Sequence, residues 1–336
     1  MKKIFKASET GSLLFLIGLI VLVGMLNPDF LKPTSLFNCF NDSVVFTLLS
    51  VGIAFVILTG DIDVSIGSIL GLSAAVGATL LRDGASIFVA STASISVGII
   101  AGLINGIGVA YLNIPSLIFT LGTNGVIRGI IYVFTNGAWV ENLPAGFTKM
   151  ANEKCLSQVT IFYAVTFVAV IAIDQALKQT RKGRYFRAVG DNIDGATLVG
   201  IPVRNTRILA YILSGIFASI AGLIYASRIG FITPMAGNGY EMKAIAACVI
   251  GGIALTGGLG SILGAAIGSV IMSSISRILV FIGFSSDYDN TITGIMLIVI
   301  VVVTTVIQNR TIIKNRHQIL MARTISARID GEEYVK

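Results

Sequence analysis

Long apolar runs constrain this chain more than any other feature. Gly11 to Asn27, Ser43 to Gly60, Val159 to Leu177 and Thr291 to Ile307 each approach the ~20 residues that carry a helix across a hydrocarbon core, and similar runs recur throughout. Only 12% of the 336 residues are charged, about half the roughly 25% usual in soluble domains. The fold class is therefore an all-α membrane protein that crosses the bilayer many times.

Apolar stretches and their breakers give about ten spans: Gly11 to Asn27, Ser43 to Gly60, Ser65 to Leu81, Ser86 to Tyr111, Pro115 to Phe134, Val159 to Leu177, Ile208 to Ser227, Met242 to Thr256, Ser261 to Phe284 and Thr291 to Ile307. Most of the 24 Lys and Arg residues fall in three blocks: Lys2 to Lys6, Lys178 to Arg207, and the tail from Arg310. Ten spans place all three on one side, which the positive-inside rule makes the cytoplasm, with both termini there too. Asn27 to Asp42, Thr135 to Gln158 and Ser285 to Asn290 are expected on the other side. A single polytopic transmembrane domain, 1–310, with a polar loop at 178–207, would precede a basic cytoplasmic tail at 311–336. Lys2, Lys3 and Lys6 precede an apolar stretch without a small-x-small cleavage pattern, so the first segment is expected to be a retained helix.

The net charge of +7 does not indicate nucleic-acid binding, because the bases are arranged by membrane topology. Cys39, Cys155 and Cys248 are widely separated and far from the single His317, so no metal-ligand spacing can be drawn. They are expected to be small apolar side chains packed among helices. Stretches such as GSILGLSAAVGA at Gly67, GIIAGLINGIG at Gly98 and GSILGAAIGS at Gly260 supply the small residues that let helix backbones approach in lipid. The repeated GSILG reflects shared packing chemistry, since these letters are common throughout.

Between the sixth and seventh spans, GDNIDGATLVGIP predicts one short helix. Asp191 or Asn192 can cap it, Asp194 favours its positive first turn, Gly200 can take the left-handed position after it, and Pro202 blocks continuation. Ile193, Ala196, Thr197 and Leu198 would form a mildly apolar face on about two turns, too short to stand alone. The flanking bases could hold helix ends to anionic lipid or grip a cytosolic protein that seats the helix in a groove.

YFRAVGDNIDGATLVGIPVRNTRILAYILSG resembles the cytoplasmic coupling segment of permease subunits from bacterial ABC importers for simple sugars. LTGDIDVSIGSILGLSAAV, IPSLIFTLGTNGVIRGI and GNGYEMKAIAACVIGGIALTGGLGSILGAAIG resemble that family as well, so the likeness covers nearly the whole chain. Within the family, EMKAIAACV is most similar to permeases of the autoinducer-2 importer, whereas ribose-type members more often carry an acidic residue at the position of Lys243. The resemblance implies a coupling helix at Asp191 to Ile201 docked into a cytosolic ABC ATPase, which would hold ATP and Mg, and a periplasmic substrate-binding protein. It also implies a second permease subunit, sister or identical, in the bacterial inner membrane. The cargo would be autoinducer-2, or ribose or another monosaccharide.

No GxxxxGK[ST] occurs, so the chain lacks the nest and lysine that hold ATP phosphates, and no cofactor is expected in it. GxSxG, HExxH and paired cysteines are absent too, leaving no catalytic residue to nominate. An ion-coupled transporter would need ionisable groups inside the membrane; Asp61, Asp63, Asp174 and Glu241 are the candidates. Asp61 and Asp63 are expected to cap the following helix through Val64 and Ser65, with pathway lining or gating as the alternative, and Asp174 to pair with Lys178 one turn on. Glu241 and Lys243 would either anchor at the interface, Lys243 snorkelling to head groups, or form an edge that receives cargo. Ser73, Asn105, Thr120, Thr123 and Asn124 could bond sugar hydroxyls, although such residues more commonly join helices, at about 0.6 kcal/mol each.

Overall fold

A computed structural model of the chain describes residues 7–156, 158–285, 288, 289, 291–299 and 302. Two compact units divide the chain, Met1–Thr293 and Gly294–Lys336; in the second, residues 294–299 and 302 are helical. Both basic termini, including the tail 311–336, lie outside the described residues.

The helices are α1 (Ala7–Leu26), α2 (Pro33–Asp42), α3 (Val44–Leu58), α4 (Ile66–Arg82), α5 (Ile87–Ala110), α6 (Ser116–Thr135), α7 (Ala145–Met150), α8 (Ile161–Gln179), α9 (Arg181–Asp191), α10 (Ile193–Leu198), α11 (Val203–Ile229), α12 (Tyr240–Ile250) and α13 (Ile262–Phe281). Among the described residues, 6 helices are long and apolar enough to cross a membrane, or up to 7 if the pair α2 and α3, bent by 41°, forms one span. The third and eighth expected spans take a different form. Each follows a non-helical break, and α12 has only 11 residues, about 16 Å, roughly half a hydrocarbon core. The tenth expected span is helical over 291–299, with its remainder outside the described residues. The loop expected at Thr135 to Gln158 carries α7, and its end forms a small antiparallel ladder, Lys154–Leu156 with Val159–Thr160.

The long helix α11 runs through the centre, packed against α3, α4 and α5. Its contact with α5 brings backbone onto backbone: a Cβ added to Gly98 would lie 1.9 Å from Ser219 Oγ and 2.1 Å from Gly215 O, and one added to Gly215 would lie 2.0 Å from Gly98 O. Gly102 meets Tyr211 O in the same way, at 2.3 Å from the missing Cβ. Small residues here convert into close backbone packing, which replaces the hydrophobic effect as the association force in lipid. The pair α12 and α13 repeats the device through Gly251, Gly264 and Gly268. Cys39 and Cys248 are buried as expected, but Cys155 is exposed, because the ladder that carries it lies outside the helix packing.

Candidate functional site

The polar stretch after α8 holds two helices where one is predicted. Thr180 caps α9, its Oγ1 accepting from Gly183 N at 3.0 Å, and α9 buries Gly183, Phe186 and Val189 while Arg181, Lys182 and Arg184 are exposed. A Cβ on Gly190 would lie 2.0 Å from Leu58 O and 2.5 Å from Gly258 N, so α9 is seated tightly on the end of α3 and the turn between α12 and α13. Arg187 Nη2 donates to Gly260 O at 3.1 Å across the same junction.

On this base stands α10. Asn192 is its cap, accepting from Gly195 N at 2.8 Å, whereas Asp191 ends α9. Asp194 lies in the first turn, Thr197 Oγ1 bonds back to Ile193 O at 2.9 Å, and Gly200 takes the left-handed conformation at φ +77° before Pro202. The predicted apolar face divides: Ala196 is buried, while Leu198 is 88% and Val199 75% exposed. Ile193 is also exposed. Apolar side chains on a polar, rigidly mounted knob suit insertion into a groove of another protein.

One turn into α11, Arg207 grips Asp61 with two hydrogen bonds of 2.7 Å each. Asp61 therefore does not cap the next helix; the guanidinium takes both its oxygens. Asp63 does act at the start of α4, where Oδ1 accepts from Ser65 N at 3.0 Å and from Ser65 Oγ at 2.6 Å. Its Oδ2 accepts from Ser214 Oγ of α11 at 2.8 Å, and Asn105 Nδ2 of α5 donates to Ser65 Oγ at 2.7 Å. Asp63, Ser65, Asn105 and Ser214 are all fully buried. The broken stretch between α3 and α4 is thus held by side chains from α5, α6 and α11, since it has no helical ladder of its own.

The α6 contribution is a stripe at four-residue intervals. Ser116 Oγ accepts from Ile62 N at 3.2 Å and Thr120 Oγ1 from Val64 N at 3.1 Å. Asn124 follows, and then Arg128, whose Nη1 donates to Ala236 O at 2.6 Å. Thr123 lies off this stripe: it bonds its own helix at Phe119 O, 3.0 Å away, and lines an apolar cleft of about 630 Å³ between α5 and α6.

Glu241, in the first turn of α12, is 7% exposed, and its Oε1 accepts from Gly239 N at 3.3 Å. Its other oxygen lies against α4, where a Cβ on Gly67 would come within 2.1 Å. Lys243 does not snorkel. It is buried, ion-paired with Asp289, and its Nζ sits 5.4 Å from the ring centre of Phe46. Asp289 also accepts from Ser276 Oγ at 2.7 Å, so the pair ties α12 and α13 to the following segment. Nearby, Asp42 binds both Arg228 and Arg277, joining α2, α11 and α13 beside a polar cavity of about 360 Å³.

Asp174 pairs with Lys178 at 2.5 Å as the spacing suggests, and it also accepts from Ile262 N at 3.2 Å. Sequence reasoning missed Arg207, Ser214, Ser116 and Arg128. The four-residue spacing of Ser116, Thr120, Asn124 and Arg128 within an apolar helix was a readable signal; the partnership of Arg207 with Asp61, far apart in sequence, was not.

A family model described as branched-chain amino acid transport system, permease component, matches residues 35–301. Over 302 residues the chain is 38% identical to the autoinducer 2 import system permease protein LsrC of Enterobacter sp. (strain 638), which covers 90% of this chain and 88% of that protein. It is 39% identical over 302 residues to the proteins of the same name from Salmonella typhi and Escherichia coli (strain K12 / DH10B), covering 90% of this chain and 87% and 88% of theirs. No solved structure is significantly similar to it.

Proposed function

We propose, from the premise that this chain belongs to the family of transport-system permease components and is a multi-pass inner-membrane protein, that it is the membrane-spanning subunit of an ABC importer. Its cargo in this reading is autoinducer-2, because the similar proteins in three bacteria bear that substrate in their names. Autoinducer-2 and ribose are both small hydroxylated molecules, so ribose is the comparison cargo.

One observation carries the coupling role: α10 presents Leu198 and Val199 to solvent from a rigid seat on α9. A cytosolic ATPase would receive this knob and hold the ATP and Mg, and this chain would hydrolyse nothing. A periplasmic binding protein would deliver cargo at the opposite end, and a second permease, sister or identical, would complete the passage. In this topology about ten membrane segments keep both termini and α10 in the cytoplasm. ATP binding draws the short helices together and rocks the bundles between two access states.

Uptake of labelled autoinducer-2 and labelled ribose, in cells carrying the intact system with native or Leu198→Asp chain, tests this. Loss of uptake with membrane insertion preserved supports ATPase coupling, and whichever label enters the native cells identifies the cargo. Undiminished uptake in the variant overturns the role of α10 and returns the ion-driven alternative.

A further inference from the structure

Three buried side-chain atoms have no hydrogen-bond partner among the described residues: Glu241 Oε2 at the start of α12, Arg128 Nη2, close enough to Glu241 to interact with it, and Asn124 Oδ1, one turn before Arg128 on α6. Their placement follows from the packing. Asn124 and Arg128 share one face of α6, between Thr120, which binds Val64 at the start of α4, and the carbonyl of Ala236, which binds Arg128. Glu241 lies against Gly67 in the first turn of α4, and Gly237 packs on the same residue.

Two helices therefore begin together in the interior, α4 after the non-helical stretch 61–65 and α12 after Gly237 to Gly239. Discontinuous helices that meet within a membrane are a recurrent way of exposing polar groups to a solute in transporters. Glu241 is more than nine-tenths buried, and a buried intramembrane carboxylate is costly to maintain without a task. Arg128 and Glu241 are near enough to interact electrostatically, yet they form no ion pair. Opposite charges whose only purpose was structural would gain most by pairing directly.

We propose that Asn124, Arg128 and Glu241 form a contact site for a neutral polyhydroxylated molecule on its way through the membrane. Hydroxyl groups fit all three atoms: one donates to Glu241 Oε2, and another accepts from Arg128 Nη2 while donating to Asn124 Oδ1. One acid balances one base, so a neutral cargo leaves no charge uncompensated, whereas a phosphorylated sugar would bring in excess negative charge. The site deepens the permease reading and rests on it.

The complete transporter, with its ATPase and binding protein in proteoliposomes, provides the test, using labelled autoinducer-2 and labelled ribose as probes. The readout is cargo moved per ATP hydrolysed, together with the ATPase activity that the loaded binding protein stimulates. Glu241→Gln and Arg128→Lys are expected to lower cargo per ATP at least tenfold, and Asn124→Ala several-fold, with stimulated ATPase within twofold of the native complex.

Unchanged cargo per ATP in these variants overturns the site while leaving the permease reading intact. Loss of assembly and ATPase in both charge variants, with Asn124→Ala behaving as native, gives Arg128 and Glu241 a structural role and likewise overturns it. A native complex that moves neither probe with ATP fails at the earlier step, the permease reading itself.

Discussion

Arg207 and Asp61 are 146 positions apart in sequence, yet both guanidinium-to-carboxylate bonds measure 2.7 Å. The pair joins the first full turn of α11, directly after the exposed knob of α10, to the break between α3 and α4. Planar two-point contact of this kind fixes angle as well as distance.

Removing either partner is expected to cost about 3–5 kcal/mol, because the remaining charge would be mostly buried and unpaired. Thermal unfolding of detergent-solubilised Asp61→Asn and Arg207→Met would show it. The exchanged double variant, Asp61→Arg with Arg207→Asp, should recover part of the loss; equal instability in single and exchanged variants would mean that the pair contributes by shape alone.

Leu198→Asp should separate stability from activity. The side chain is 88% exposed, so unfolding should change by no more than about 0.5 kcal/mol, while uptake falls at least tenfold. A melting temperature that drops together with uptake would show that Leu198 supports the fold.

The glycine contact between α5 and α11 makes a paired prediction with Gly122. A Cβ on Gly98 would lie 1.9 Å from Ser219 Oγ, whereas one on Gly122 meets no neighbour within 4 Å. Gly98→Val should destabilise by about 3 kcal/mol or reduce the amount of folded protein, and Gly122→Ala should be neutral or slightly stabilising. Expression level and melting temperature of the two variants, side by side, provide the check.

Lys243 and Asp289 should behave as a unit. Lys243→Met strands a partly buried carboxylate and should cost about 3 kcal/mol or more, whereas Lys243→Met with Asp289→Leu should be milder. A double variant as unstable as the single one would show that the ammonium acts through Phe46 and not through its anion.

Much of the helical framework was legible because its cause is local. Long apolar runs mark α1, α5, α6, α8, α11 and α13, and the caps at Asn192 and Gly200 mark α10. The short α12 was overcalled because hydropathy reports what a residue tolerates, not how far the helix continues. Gly251 and Gly252 end it, within an apolar composition that reads as uninterrupted. Helix α9 was overlooked because its bases conceal a period of three to four, Gly183, Phe186 and Val189. The candidate site was legible in part: Asp63, Ser65 and Asn105 do meet, but Ser214, which donates to Asp63, is one serine among many. Lys243 looked interfacial because lysine usually is, and only the fold supplies the aspartate that lets it be buried.

The close crossing of α5 and α11 also sets how a push can propagate. Backbones in contact cannot approach further, but with only glycines and the small Ser219 at the Gly98 contact one can swivel on the other. Gly215 lies near the middle of the 27-residue α11, so the contact has the position of a fulcrum under a beam. A nudge delivered by α10 at one tip of that beam would emerge at Ile229 with its direction reversed. One rigid helix would then narrow the passage at one face of the membrane as it widened it at the other.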